Sequence, residues 1–212
     1  MKLRRKIAKL AQPLTYRRGW RRAQRSIFRL PIERLRTRID QKRLCEIQRR
    51  YADSPAGYAK YANVDHWLRL NRERVQDLKL HRSAPKRVLD LGCGGGFFLF
   101  ILKALGHPVL GLDAGQAPLY TELIDLFGVP RIVWTIKPFE PLPEVIQRFD
   151  WITAFSVSFN VQRPTKQLWG VAEWDFFCVI LSDTSSRAAE SFSGSIRHSA
   201  AIITHLSCAI FS

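Results

Sequence analysis

The sequence is short of what several protein classes need. Its 212 residues include only four cysteines, Cys45, Cys93, Cys178 and Cys208, and their spacing fits no metal site. The simplest reading of such scattered thiols is that they are reduced, in a cytosolic compartment, and no metal is expected. No apolar run is long enough to span a membrane, and no secretory h-region opens the chain. Acids are missing from the start, since none precedes Glu33. The net charge of +16 is therefore uneven: residues 1–50 hold 18 basic and 3 acidic side chains, and the rest hold 16 and 15.

What is present divides the chain into a basic arm (1–50), an α/β core (51–181) and an atypical tail (182–212). In the arm, Leu3, Ile7 and Leu10 recur at helical spacing among lysines and arginines until Pro13. A second helix is expected from Tyr16 to Leu30, with Trp20, Ala23, Ile27 and Leu30 on one stripe, and a third after Pro31, carrying Ile32, Leu35 and Ile39. Basic amphipathic helices of this kind suit an anionic membrane surface, RNA or a plain solvated arm, with an organelle transit peptide as a further reading. Localisation is expected to be cytoplasmic, with peripheral membrane attachment as the variant. Pro55 and Gly57 break the helical run. Asp65 then stands as an N-cap for a helix carrying Trp67, Leu70, Val75 and Leu78.

The rest of the chain is organised around Arg87-Val-Leu-Asp-Leu-Gly-Cys-Gly-Gly-Gly96. Val88, Leu89 and Leu91 spell a short buried strand, three glycines force a turn, and Phe97 to Leu105 continues as a helix. Glycines tolerate positive φ and let a ligand approach the backbone, where the new helix presents free N–H groups. A dinucleotide fingerprint would need glycine or alanine where Phe97 stands, which disfavours a nicotinamide-dependent reductase. The pattern present is Asp90, Gly92, Gly94, Gly96, an acid followed by alternate glycines. It resembles motif I of the class I S-adenosylmethionine-dependent methyltransferases. That resemblance implies that Asp90 meets the methionine ammonium and that Gly92, Gly94 and Gly96 pass beneath the methionyl and ribose groups.

The following segments extend it. Val109-Leu-Gly-Leu-Asp113 reads as a second buried strand, and Asp113 stands where the family's ribose-binding acid ends that strand, a carboxylate suited to two hydroxyls. Pro118 to Phe127 reads as a helix closed by Gly128, and Arg131 to Ile136 as a third strand. The family's adenine-binding acid is missing after it; Lys137-Pro-Phe-Glu140 stands there instead, leaving Phe139 or Glu140 as the adenine contact. Phe149-Asp to Phe155 is the fourth strand and resembles motif II. Its end offers Ser156, Ser158 and Asn160 and lacks the Asn/Asp-Pro-Pro-aromatic motif of exocyclic base-amine methylation. The segment before motif I often forms a lid in this family, so Tyr58, Tyr61 and His66 are candidates for cofactor or acceptor contact. His66 and Asn160 are the candidates for catalysis, which needs positioning more than acid–base machinery.

The expectation is thus a Rossmann-like α/β core with a mostly parallel sheet, behind a basic helical arm. It would bind S-adenosylmethionine and transfer its methyl to a small-molecule acceptor. After the fourth strand, Gln167 to Phe177 reads as a helix burying Trp169, Trp174 and Phe177. Residues 182–212 do not spell the fifth strand and final hairpin of the family, whether through a shifted reading frame near Cys178 or a divergent, disordered tail. Two further readings therefore stand beside the enzyme: a truncated inactive remnant, and a membrane- or RNA-binding module acting through the arm.

Overall fold

The computed structural model describes residues 31–54, 58–146, 148–162 and 167–184. The helices expected before Leu30 and the tail beyond Thr184 lie outside them.

The chain enters through α1 (Ile32–Arg36) and α2 (Gln41–Tyr51), where the Asp40 carboxylate caps α2 by accepting the Arg43 N–H. Leu35, Ile39, Leu44 and Ile47 are buried in the same cluster as Phe97 and Leu123. From Ile32 onward the basic segment therefore packs on the core, using the apolar stripe read from its sequence. Helix α3 (Val64–Asp77) starts two residues earlier than expected. Its cap is Asn63, whose side chain accepts the His66 N–H at 3.1 Å, and not Asp65, which faces Arg36 at 3.5 Å. Asn and Asp cap about equally well, so local propensity could not choose between two candidates two residues apart.

Strand β1 (Val88–Leu91) is buried throughout and leads through the glycine turn into α4 (Phe97–Ala104). Six consecutive residues of α4, Phe97 to Leu102, are buried. A helix apolar on every side belongs in the middle of a fold, and each such side chain contributes about 1.5–3 kcal/mol by leaving water. Strand β2 (Val109–Asp113) and α5 (Pro118–Phe127) follow the expected bounds, with Pro118 opening the helix and left-handed Gly128 closing it. Strand β3 spans only Arg131–Val133 and β4 only Trp151–Thr153. Both fall short of the expected segments, because the ladder lasts only where a neighbouring strand lies alongside.

The four strands are parallel, in the order β3-β2-β1-β4. Val88 points into the cluster formed with α2 to α5, while Leu89 and Leu91 point to the opposite face with Leu112, Ile152 and Phe177. Helices thus cover both faces, as a parallel sheet requires. This is a Rossmann-like arrangement over four parallel strands. The chain crosses from β3 on one side of β1 to β4 on the other, so the order reverses at the carboxyl ends of β1 and β4, where such sheets bind ligands, with the end of β2 alongside.

Beyond β4 the expected helix is corrected. Residues Val161–Gln162 (β5) and Gln167–Leu168 (β6) pair antiparallel, and α6 runs Val171–Thr184. Glu173 fixes the start by accepting the Gly170 N–H at 2.9 Å, half of a capping box. Trp169 and Phe177 are buried and Trp174 is half-buried. The helix continues three residues past Leu181, and the Thr184 carbonyl accepts the Phe149 N–H at 2.8 Å, so α6 ends beside the start of β4.

Candidate functional site

The turn between β1 and α4 is stitched to its neighbour strand by backbone bonds: Gly92 and Cys93 both donate to the Leu112 carbonyl, at 2.6 and 3.2 Å. Gly92, Gly94 and Gly96 all have positive φ, at 73°, 52° and 75°. At Gly92 and Gly96 the space is closed as well: a Cβ would run into the Val157 side chain at the first and into Ile124 at the second. Gly111 of β2 is a further tight point, since a Cβ there would press on Cys93 Sγ at 2.5 Å. That requirement belongs to the neighbouring strand, so the motif itself did not reveal it.

Asp113 brings the second acid onto the turn. Its Oδ2 accepts the Gly94 N–H at 3.2 Å and its Oδ1 accepts the Gly115 N–H at 2.9 Å. Both oxygens are thereby fixed at the end of β2, half-buried and facing the glycines. Asp90 lies one strand over with only 4% of its surface exposed. Thr153, its register partner on β4, donates its hydroxyl to Asp90 Oδ1 at 2.7 Å. Burial pushes the Asp90 carboxyl up to about 7, opposed by the Thr153 hydrogen bond and the Arg74 charge and reinforced by Asp113. Burial likewise raises the Cys93 thiol, with the charges of Asp90 and Asp113 acting in the same direction, so this cysteine is held as the unreactive thiol.

The five residues expected from motif I and the second strand therefore converge on one crevice. The weaker candidates scatter. Tyr61 is half-buried, stacked on Trp67 and edge-on to Tyr120, both with centroids 5.4 Å away, and the Tyr120 ring is what a Cβ on Gly94 would touch at 3.6 Å. Tyr61 thus stands behind the ring that borders the turn. His66 is exposed at the start of α3, with its ring on the edge of Trp67. Asn160 uses its carbonyl to accept the Trp169 N–H at 2.9 Å, which closes the β5–β6 hairpin. Phe139 is 54% exposed at φ 57°, with its ring 5.6 Å from that of Phe176 on α6. Glu140 pairs with Lys137 at 3.0 Å. Ser158 is exposed, and the Tyr58 side chain lies outside what is described.

Two residues were not singled out from the sequence. Thr153 was legible only as one more strand residue, because its value comes from lying across from Asp90. Arg74 read as the polar face of α3, yet its guanidinium stacks 4.5 Å from the Phe155 ring centroid and donates to Asn71 Oδ1 and Ser156 Oγ, both at 3.0 Å.

A parallel half-sheet, a glycine turn at its switch point and acids near the ends of two adjacent strands make up a Rossmann-like core, and the chain is similar to methyltransferases. No protein-family model matches the chain. Among similar proteins is a tRNA U34 carboxymethyltransferase from Pseudomonas fluorescens, 31% identical over 114 residues, which are 48% of this chain and 35% of that protein. A ubiquinone biosynthesis O-methyltransferase from Nitrosococcus oceani is 47% identical over 51 residues, covering 24% of this chain and 22% of that one. This chain thus spans about a third or less of the length of these two relatives. Among solved structures, CalS10, an amino pentose methyltransferase from Micromonospora echinaspora bound to S-adenosylmethionine, aligns with TM-score 0.39 and 25% identity, over 57% of this chain and 47% of that one.

Proposed function

We propose that the chain binds S-adenosylmethionine in the crevice between Asp90 and Asp113 and transfers its methyl to an oxygen or nitrogen of a small-molecule acceptor. The supporting observation is the Asp113 carboxylate, held at the end of β2 by the Gly94 and Gly115 N–H groups beside the buried Asp90. The donor set suits the group chemically. A buried acid next to a cationic ammonium regains the charge that burial opposes, and a fixed carboxylate accepts from two adjacent hydroxyls. Gly92, Gly94 and Gly96 would supply the positive-φ turn that carries the Gly94 N–H to Asp113, with Tyr61 and Phe139 as the outer candidates. When bound, S-adenosylmethionine supplies an electrophilic methyl on a sulfonium. The residues at the end of β4 would then orient the acceptor in line, which is where most of the rate gain in such a displacement arises.

The segment Phe155 to Asn160 is not the motif of exocyclic base-amine methylation, which supports the small-molecule acceptor. Exposed Arg34, Lys42, Arg43 and Arg49 on α1 and α2 support a polyanion, RNA or an anionic membrane surface, as the partner of the basic arm. Among the described residues no helix is long and apolar enough to cross a membrane. Incubation with methyl-tritiated S-adenosylmethionine and two acceptor pools, small phenols and amines in one and total tRNA in the other, separates the acceptors. Label in the small-molecule pool is expected. Label in tRNA alone would overturn the acceptor class, and label in neither, from a folded chain that binds cofactor, would favour the inactive remnant.

A further inference from the structure

The loop after β4 lies on the glycine turn, and its fastening is built from α3. Val157 packs directly over Gly92, leaving no room for a Cβ there. Ser156 sits at φ 54°, a left-handed conformation that is strained for a side-chain-bearing residue and needs its surroundings to hold it. Phe155 is held on one side by Phe98 of α4, with centroids 5.1 Å apart, and on another by the Arg74 guanidinium at 4.5 Å. Arg74 is itself set by Asn71, a residue only 4% exposed whose amide donates to the Trp67 carbonyl at 3.0 Å. One arm of the guanidinium goes to Asn71 and the other to Ser156.

We propose that Arg74 is the positioning residue of this site, fastening the Phe155–Val157 loop down on the glycine turn. A ligand reaching Gly92 must displace or reshape the loop that Arg74 holds, so Arg74 couples the helix ahead of the motif to the crevice. The charged and titratable groups that bear on Asp90 are Arg74 from α3, Asp113 from β2 and Cys93 from the turn. Among these three only Arg74 favours the ionised carboxyl. A lysine would keep the charge but lose the planar fork that reaches Asn71 and Ser156 together.

The test reads the ligand-free chain, in Arg74→Met, Arg74→Lys and Ser156→Ala, by amide hydrogen exchange over residues 155–158 and by carbon-13 titration of the Asp90 carboxyl. Arg74→Met is expected to speed exchange in the loop and to raise the Asp90 midpoint, as loss of an opposite charge should. Arg74→Lys should restore the midpoint without the slow exchange, and Ser156→Ala should free the loop with the midpoint unmoved. Unchanged exchange in Arg74→Met, or a midpoint that moves equally in Ser156→Ala, would overturn the proposal. If Arg74→Met does not fold, the other two variants decide it by the same criteria. The proposal borrows from the cofactor reading only the identity of the ligand. Titrating the wild-type chain with S-adenosylhomocysteine separates the two, since absent binding would sink that reading and leave the exchange and titration results standing.

Discussion

At the scale of single residues the site depends on an acid kept out of water. With its carboxyl raised to about 7, Asp90 holds its proton in the folded chain after an ordinary carboxyl in the unfolded chain has lost it. Its contribution to stability is therefore greatest below about pH 4, falls as pH rises toward 7, and is level above that. Affinity for a cationic ammonium runs the other way, because only ionised Asp90 attracts it. Calorimetry with S-adenosylhomocysteine should show binding about tenfold tighter at pH 8 than at pH 6. In Asp90→Asn, which matches the neutral form in shape, this dependence should flatten while the fold survives; a flat profile in the wild type would contradict the assignment. At Gly92 the demand is steric. Gly92→Ala would place a Cβ at φ 73° and against Val157, so it should lose at least 1–2 kcal/mol in denaturant titration as well as cofactor binding. Asp90, Gly92, Gly94 and Gly96 were legible in the sequence because they lie a few positions apart on one strand and its turn, and Asp113 because it ends the next apolar run. Thr153 and Arg74 were not, since they reach the site across 63 residues in one direction and 16 in the other and carry no local signature of their own.

At the scale of elements, hydrophobic runs located the strands and helices of the half-sheet, while single hydrogen bonds set the starts of two helices. Helix α3 shows this most plainly. Asn63→Ala removes the side chain that accepts the His66 N–H and should lower stability by about 1 kcal/mol. Asp65→Ala removes only a contact with exposed Arg36, so its cost should lie within about 0–1 kcal/mol and nearer zero. Thermal melts of the two variants rank them, and a larger loss in Asp65→Ala would reverse the assignment of the cap. The start of α6 follows the same rule. Gly170 and Glu173 form a readable half capping box, but the apolar run from Gln167 masked it. Strand lengths were overread at β3 and β4 because β-branched and aromatic residues continue past the point where a partner strand ends.

At the scale of the molecule, the order β3-β2-β1-β4 brings two strand-end acids 23 residues apart in sequence to the same crevice. That convergence followed from topology that the sequence implied, since β1 and β2 are each followed by a helix and parallel crossovers have one hand. The division of the basic segment was harder to see. Composition placed a boundary at residue 50, yet Leu35, Ile39, Leu44 and Ile47 enter the core, because charge on the outer face of an amphipathic helix does not report what its inner face touches. The chain covers about a third of the length of one methyltransferase and less of another, so the central claim is that this part alone forms a cofactor site. The most direct measurement is calorimetric titration of the purified chain with S-adenosylhomocysteine, repeated on Asp113→Ala. Micromolar binding by the wild type, weakened at least about tenfold in the variant by loss of a charge-assisted hydrogen bond, is the expected result. A folded wild-type chain that does not bind, or one that binds equally well without the Asp113 carboxylate, would contradict it.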